Sequence, residues 1–158
     1  MHAMLQRDII DTAPAPVVPD VPIGLPDPLV AQIRRWRVIL ANAYETRGTR
    51  RDLFGHNMLA DPAWDMLLAL ALAACDRREM TVGELCASGR TSMTTALRVI
   101  DYLSDRKLVS RRPNPFDRRS ILLAISETGL TRMTALIERS AARLSSANQP
   151  QEYSTCLI

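Results

Sequence analysis

The chain has 158 residues, a net charge of +3 and 47% hydrophobic residues but only 4% aromatics, which suits one domain packed by Val, Ile, Leu, Met and Ala. No apolar run reaches the roughly 20 residues of a membrane span, the longest (66–75) being about half that. Three scattered cysteines (Cys75, Cys86, Cys156) and two histidines (His2, His56) argue against a disulfide framework, a zinc site or triad chemistry, so no metal and no cofactor is expected.

Arg7, Asp8 and Asp11 interrupt any apolar core of a signal peptide. Cys156 stands third from the end, where prenylation needs it fourth. The expectation is a cytoplasmic protein with no membrane attachment. Charge is unevenly spread: residues 1–28 carry a surplus of three acids, whereas residues 90–119 carry eight basic against three acidic side chains. Such a basic segment fits a nucleic-acid surface, and it equally fits a solvated face.

Residues 1–28 read as a flexible leader, since residues 11–28 hold six prolines and exclude helix and sheet interior. Met4, Leu5 and Ile9 hint at a short amphipathic stretch before them. The domain is expected over residues 29–146. Asp27-Pro28 supplies a helix start, and Leu29, Ile33, Trp36, Leu40 and Ala43 recur at helical spacing towards a stop near Gly48. Residues 50–60 read as a loop. Asp61-Pro62 repeats the start signal before Trp64, Leu67, Leu68, Ala71, Leu72 and Cys75, a helix apolar nearly all round and therefore central to the core.

Thr81-Val82-Gly83-Glu84 is a capping box for a short helix that buries Val82, Leu85 and Cys86 and stops at Gly89. Thr91 or Ser92 caps the next helix, about 92–106, which buries Ala96, Val99, Ile100 and Leu103. Residues 108–111 and 119–125 read as strands around a five-residue turn, 113–117, making a wing over about 108–126. Ser126 caps a last helix with Leu130, Met133, Ile137, Ala141 and Leu144 on one stripe, and residues 147–158 read as a frayed tail. The fold class is therefore mainly α with a small β-hairpin wing, a winged helix-turn-helix.

Two helices joined by a short turn can place the second in the major groove, whose base edges carry distinct donor and acceptor patterns. Thr91, Thr94, Thr95, Arg98, Asp101 and Tyr102 share the face opposite the buried stripe. Hydroxyls there can bond phosphates or bases, and Arg98 can grip a guanine; an ordinary solvent face would look the same. The wing favours DNA. Arg111, Arg112, Arg118 and Arg119 bracket the turn, so four guanidinium groups are expected to converge at its tip, where a narrow minor groove would offset their repulsion. Asp117 is expected to pair with Arg119 and support the wing. Arg90 and Ser92, beside the second helix, complete the expected DNA-binding set.

These residues resemble the MarR-type winged-helix regulators, whose wing signature is Asp-x-Arg-x5-Leu-Thr. Asp117, Arg119, Ile125 and Ser126 occupy those positions, the last two as conservative departures. The resemblance extends upstream through Leu108-Val109 and the 81–89 helix to Asp61-Pro62. It implies a transcriptional regulator that binds double-stranded DNA as a homodimer, with 92–106 as recognition helix, Arg119 as minor-groove arginine, and a small-molecule effector in many members. Met93 and Leu97 are apolar where the family usually shows polar groups. The C-terminal portion is short, so Leu29, Ile33, Trp36 and Leu40 would either build the dimer or pack on their own domain. Trp36, Trp64 and Met66 either line an effector pocket or are simple core. Cys75 and Cys86 lie on apolar faces, where thiols are usually inert.

An enzyme lacks equipment here: there is no glycine-rich phosphate loop, and Asp61 and Asp65 fit a helix start better than acid–base work. A winged-helix protein-interaction module without sequence-specific DNA binding is the stronger alternative, since it shares the fold.

Overall fold

The computed structural model of the chain describes residues 24–55 and 60–147. Most of the expected leader, with Met4, Leu5 and Ile9, lies outside the described residues, as do His56, Cys156 and the tail from residue 148. The element order is α1 (Asp27–Arg35), α2 (Arg37–Phe54), α3 (Pro62–Cys75), β1 (Met80–Thr81), α4 (Val82–Ser88), α5 (Met93–Asp105), β2 (Val109–Asn114), β3 (Asp117–Ile125) and α6 (Glu127–Ala147).

The first expected helix is two helices. Pro26, not Asp27, precedes α1, and no side chain caps it; Asp27 instead sits in the first turn. The chain bends at Trp36, whose amide reaches back three residues to the Ile33 carbonyl (2.9 Å). The end of α3 holds this bend from outside. Arg34 Nε donates to the Cys75 carbonyl (2.5 Å), one of the orphan acceptors at a helix C-terminus, and Arg37 pairs with Asp76 (3.3 Å). Gly48 does not stop α2, which continues to Phe54 and ends at Gly55. The glycine is there for space: a methyl group at position 48 would collide with the guanidinium of Arg90.

The stripe Val30, Ile33 and Leu40 packs into the chain's own core. Of the expected N-terminal stripe, Ile33 and Leu40 are thus taken up by the chain's own core, whereas Leu29 and Trp36 are half-buried against it. The helix α3, apolar except for Asp65 in its first turn, is the central element, touching α1, α2, α4, α5, β3 and α6. Met66, Leu68, Leu70 and Ala71 are all buried there. Its N-cap is Asp61, whose carboxylate accepts from the Trp64 amide (3.1 Å).

The sheet has three antiparallel strands in the order β1-β3-β2. β1, absent from the expected elements, pairs Met80 with Leu123 and Thr81 with Leu122. Two residues are too few to show a period, and Thr81 serves at once as strand and as helix cap. The hairpin turn is tighter than expected, with only Pro115 and Phe116 between the strands. Asn114 organises it: its carbonyl Oδ1 accepts from the Phe116 amide (3.0 Å) and its Nδ2 donates to Ser120 Oγ (2.8 Å). Pro113 is tolerated inside β2 because β2 is an edge strand.

Ser126 caps α6 as expected, accepting from the Gly129 amide (3.0 Å) and donating to the Lys107 carbonyl (2.5 Å). Gly129 lies against the Leu108 backbone, so the start of α6 is locked to the chain leaving α5. Leu130, Met133 and Ile137 face the core.

Candidate nucleic-acid interface

The helix-turn-helix is set up by local hydrogen bonds. Thr81 Oγ1 accepts from the Glu84 amide (3.3 Å), and Glu84 Oε2 accepts from the Thr81 amide (2.7 Å), a complete capping box. Burial pushes the Glu84 carboxyl up, but the hydrogen bonds from Thr81 and the Arg78 guanidinium outweigh it and hold it below its ordinary value. α4 stops at Gly89, packed on Met66. Arg90 then takes a left-handed backbone (φ 48°), a conformation usually left to glycine. Its guanidinium lies 5.4 Å from the Tyr44 ring centroid and against Gly48, while the Tyr44 hydroxyl donates to the Ser88 carbonyl (3.0 Å). Arg90 therefore ties the turn to α2.

Ser92 is the N-cap of α5. Its Oγ accepts from the Thr95 amide (3.3 Å) and donates to Thr95 Oγ1 (3.0 Å). Thr91 is half-buried, its carbonyl accepting from Cys86 Sγ (3.3 Å). Ala96, Ile100 and Leu103 bury one face of α5; Met93, Thr94, Thr95, Leu97, Arg98, Asp101 and Tyr102 are exposed on the rest. Tyr102 carries the Arg106 guanidinium 4.4 Å from its ring centroid.

The four wing arginines do not converge. Arg111 and Arg112 sit low on the wing, opposite Leu123 and Leu122, whereas Arg118 and Arg119 flank the turn. Arg111 Nη2 donates to Asp101 Oδ1 (2.6 Å), and Arg112 Nε donates to Glu79 Oε1 (2.7 Å). The hydrogen bond to Glu79 holds the Arg112 guanidinium even more firmly protonated than usual. Sequence position placed these two beside the tip because it treated the turn as the only thing they could face; each instead found an acid on another element. Among the described residues no ion pair reaches Arg98, Arg118 or Arg119, all three exposed. Asp117 does not pair with the Arg119 side chain. Its Oδ1 accepts from the Arg119 backbone amide (2.9 Å), so it supports the wing by shaping the turn.

Behind this surface, Asp65 belongs to no acid–base pair. It is buried between Arg47 and Arg51, fastening α2 to α3. The spacing i, i+4 of the two arginines was the signal for a shared partner. Cys75 is buried, and burial, helped by Asp76, pushes its thiol up, which leaves it unreactive. A cavity of about 140 Å³ opens between α3 and α6, lined by Trp64, Leu67, Leu108, Gly129, Arg132, Met133 and Leu136. Trp64 lines it; Met66 is core. No helix among the described residues is long and apolar enough to cross a membrane, and they contain no cluster of His, Cys, Asp and Glu that could hold a metal ion.

The sequence model of the MarR family matches residues 59–120, a span containing every interface residue described above. Its members are transcriptional regulators, not enzymes. No curated protein matches the chain. Among solved structures, the chain is similar to AbsC, a MarR family transcriptional regulator from Streptomyces coelicolor, at 20% identity over 68% of this chain and 70% of that one (TM-score 0.45). A mutant of MarR from E. coli is 21% identical over 83% and 87% (TM-score 0.44). A mutant of MepR from S. aureus, bound to an oligodeoxyribonucleotide, is 14% identical over 77% and 84% (TM-score 0.46).

Proposed function

We propose that the chain is a MarR-type winged-helix regulator that binds double-stranded DNA in a sequence-specific manner, a reading that starts from the family-model match over residues 59–120. α5 enters the major groove and the wing tip enters the adjacent minor groove. One observation carries this reading: of the basic side chains on α5 and the wing, Arg98, Arg118 and Arg119 are exposed with no acid partner among the described residues, so their charge is available to phosphates. Arg111 and Arg112 are already neutralised.

Base reading falls to Thr94, Thr95 and Arg98. Thr95 Oγ1 accepts from Ser92, which leaves its own proton to donate to a base or phosphate. Ser92 is occupied as a cap and Arg90 with α2, so neither is a principal contact. Exposed Met93 and Leu97 offer apolar contacts to thymine methyl groups.

The binding unit in this proposal is a homodimer on an inverted repeat, with half-sites about 34–36 Å apart. Val38, Ile39, Leu53 and Phe54 of α2, all exposed, supply the apolar surface such an interface needs, since Ile33 and Leu40 of the N-terminal stripe are buried in the chain's own core. An effector read by the α3–α6 cavity would be about one ring in size, because ordinary ligand pockets hold about 300–1,000 Å³.

Selection of bound duplexes from a random pool tests the proposal. Recovered inverted repeats with that spacing are expected. Recovery of no preferred sequence would favour the protein-interaction module instead.

A further inference from the structure

Arg111 and Arg112 are consecutive residues of an edge strand, so their side chains leave opposite faces of the sheet. On one face, Arg111 Nη2 donates to Asp101 Oδ1 (2.6 Å) and its Nε donates to Ser104 Oγ (2.8 Å). Ser104 in turn donates to the Ile100 carbonyl (2.8 Å), so the chain of bonds ends in the backbone of α5. On the other face, Arg112 grips both oxygens of Glu79, one through Nε (2.7 Å) and one through Nη2. Glu79 immediately precedes β1, which lies beyond β3, so this contact spans the sheet. Its side chain is only 11% exposed, and a forked pair of that kind fixes direction as well as distance.

Two acids on a surface meant for a polyanion need a reason. Electrostatics alone would remove them, because each repels phosphate and cancels a nearby cation. Their geometry supplies one. The wing is a two-stranded ribbon beyond β1, and its tip arginines are useful only if they arrive at the minor groove while α5 is seated in the major groove.

We propose that Arg111 with Asp101 and Ser104, and Arg112 with Glu79, form a two-sided clamp that fixes the angle between the wing and the recognition helix. Glu79 and Asp101 are positioning residues for DNA binding, and Arg111 and Arg112 act through them without contacting phosphate. This rests on the DNA-binding reading above.

The two ways of using these arginines differ in sign. If Arg112 or Arg111 binds phosphate, removing its acid frees a cation and must tighten binding. If the pairs are a clamp, removing the acid loosens the wing and weakens binding despite the gain in net positive charge.

The test uses the full chain, the variants Glu79→Gln and Asp101→Asn, and a duplex recovered in the selection described above. Each variant is expected to lower affinity by about 2- to 30-fold, with the slope of log affinity against log salt unchanged, because no phosphate contact is lost. The double variant Glu79→Gln with Arg112→Gln should fall no further than Glu79→Gln alone. Equal or tighter binding by the single variants, or a changed salt slope, overturns the clamp. A second arm needs no DNA: amide hydrogen exchange at residues 114–120 should quicken in Glu79→Gln while residues 66–75 keep their protection. Unchanged exchange at the tip overturns the clamp as well. If the wild-type chain binds no duplex, the DNA reading fails, and the exchange arm still decides whether the pairs hold the wing.

Discussion

Asp65 holds α3 to α2 through charge, and replacing it with Ala is the most informative test of the scaffold. The carboxylate is 2% exposed. Arg47 Nε donates to its Oδ1, and Arg51 Nη2 lies 2.9 Å from its Oδ2. Arg51 is itself 3% exposed, so Asp65→Ala strands a buried cation and leaves Arg47 half-buried without its acid. Removing one partner of such a buried pair costs about 3–5 kcal/mol, against a total stability of about 5–15 kcal/mol for a domain. With a urea dependence of about 2 kcal/mol per molar, the unfolding midpoint should fall by about 2 M. Equilibrium urea unfolding followed by the fluorescence of Trp36 and Trp64 reads this directly. Asp61→Ala, which removes only the α3 N-cap, should cost about 1 kcal/mol and serves as the neighbouring control. A midpoint shift below about 0.5 M for Asp65→Ala, with an unchanged slope, would refute the electrostatic fastening.

The capping box makes a second, pH-dependent prediction. Glu84 is held below its ordinary value, so its stabilisation is fully present above the ordinary glutamate range and disappears as pH falls through the lowered value. Thermal melts of wild type and Glu84→Gln should therefore differ at neutral pH and converge in acid; a constant gap contradicts the assignment. Two glycines should respond with opposite sign. Gly129→Ala drives a methyl group into the Leu108 backbone and should destabilise by about 1–3 kcal/mol, whereas Gly83→Ala, where a methyl meets only Thr81 Oγ1 at ordinary contact distance, should stabilise by about 0.4–1 kcal/mol. On DNA, Arg119→Ala should weaken operator binding by about 1–3 kcal/mol and flatten the salt slope without changing the melting temperature. Unchanged affinity would remove the wing tip from the interface. Thr95→Val should change which duplexes are selected more than it changes the salt slope; a uniform loss across sequences would assign Thr95 to phosphate positioning.

The elements that carry their own terminators were legible in the sequence. Asp61-Pro62, the Thr81 to Glu84 box, Ser92 and Ser126 each cap the helix that follows, because capping is a contact within three residues. What required the fold was contact across elements. The bend at Trp36 is held by the far end of α3, through Cys75 and Asp76. Gly48 looked like a helix stop because a glycine that makes room for Arg90 has the same letter as one that ends a helix. β1 is two residues long and exists only because β3 lies beside it.

The candidate site divided along the same line. Exposed Thr94, Thr95 and Arg98 followed from helical periodicity, and they lie on the face it assigned. The partners of the basic residues did not follow. Arg111 meets an acid ten residues away on another element, Arg112 one 33 residues away, and Arg90 turns back to α2. Counting charge along the chain could not separate cations already paired with an acid from those with no acid partner among the described residues.

Binding of the full chain to a random-sequence duplex across a salt titration tests the central claim most directly. Counterion release requires log affinity to fall linearly with log salt, by about 0.9 for each phosphate neutralised. Such a line is expected, with a shallower one for the Arg118 and Arg119 alanine variants. No binding even at low salt, or binding indifferent to salt, would contradict it.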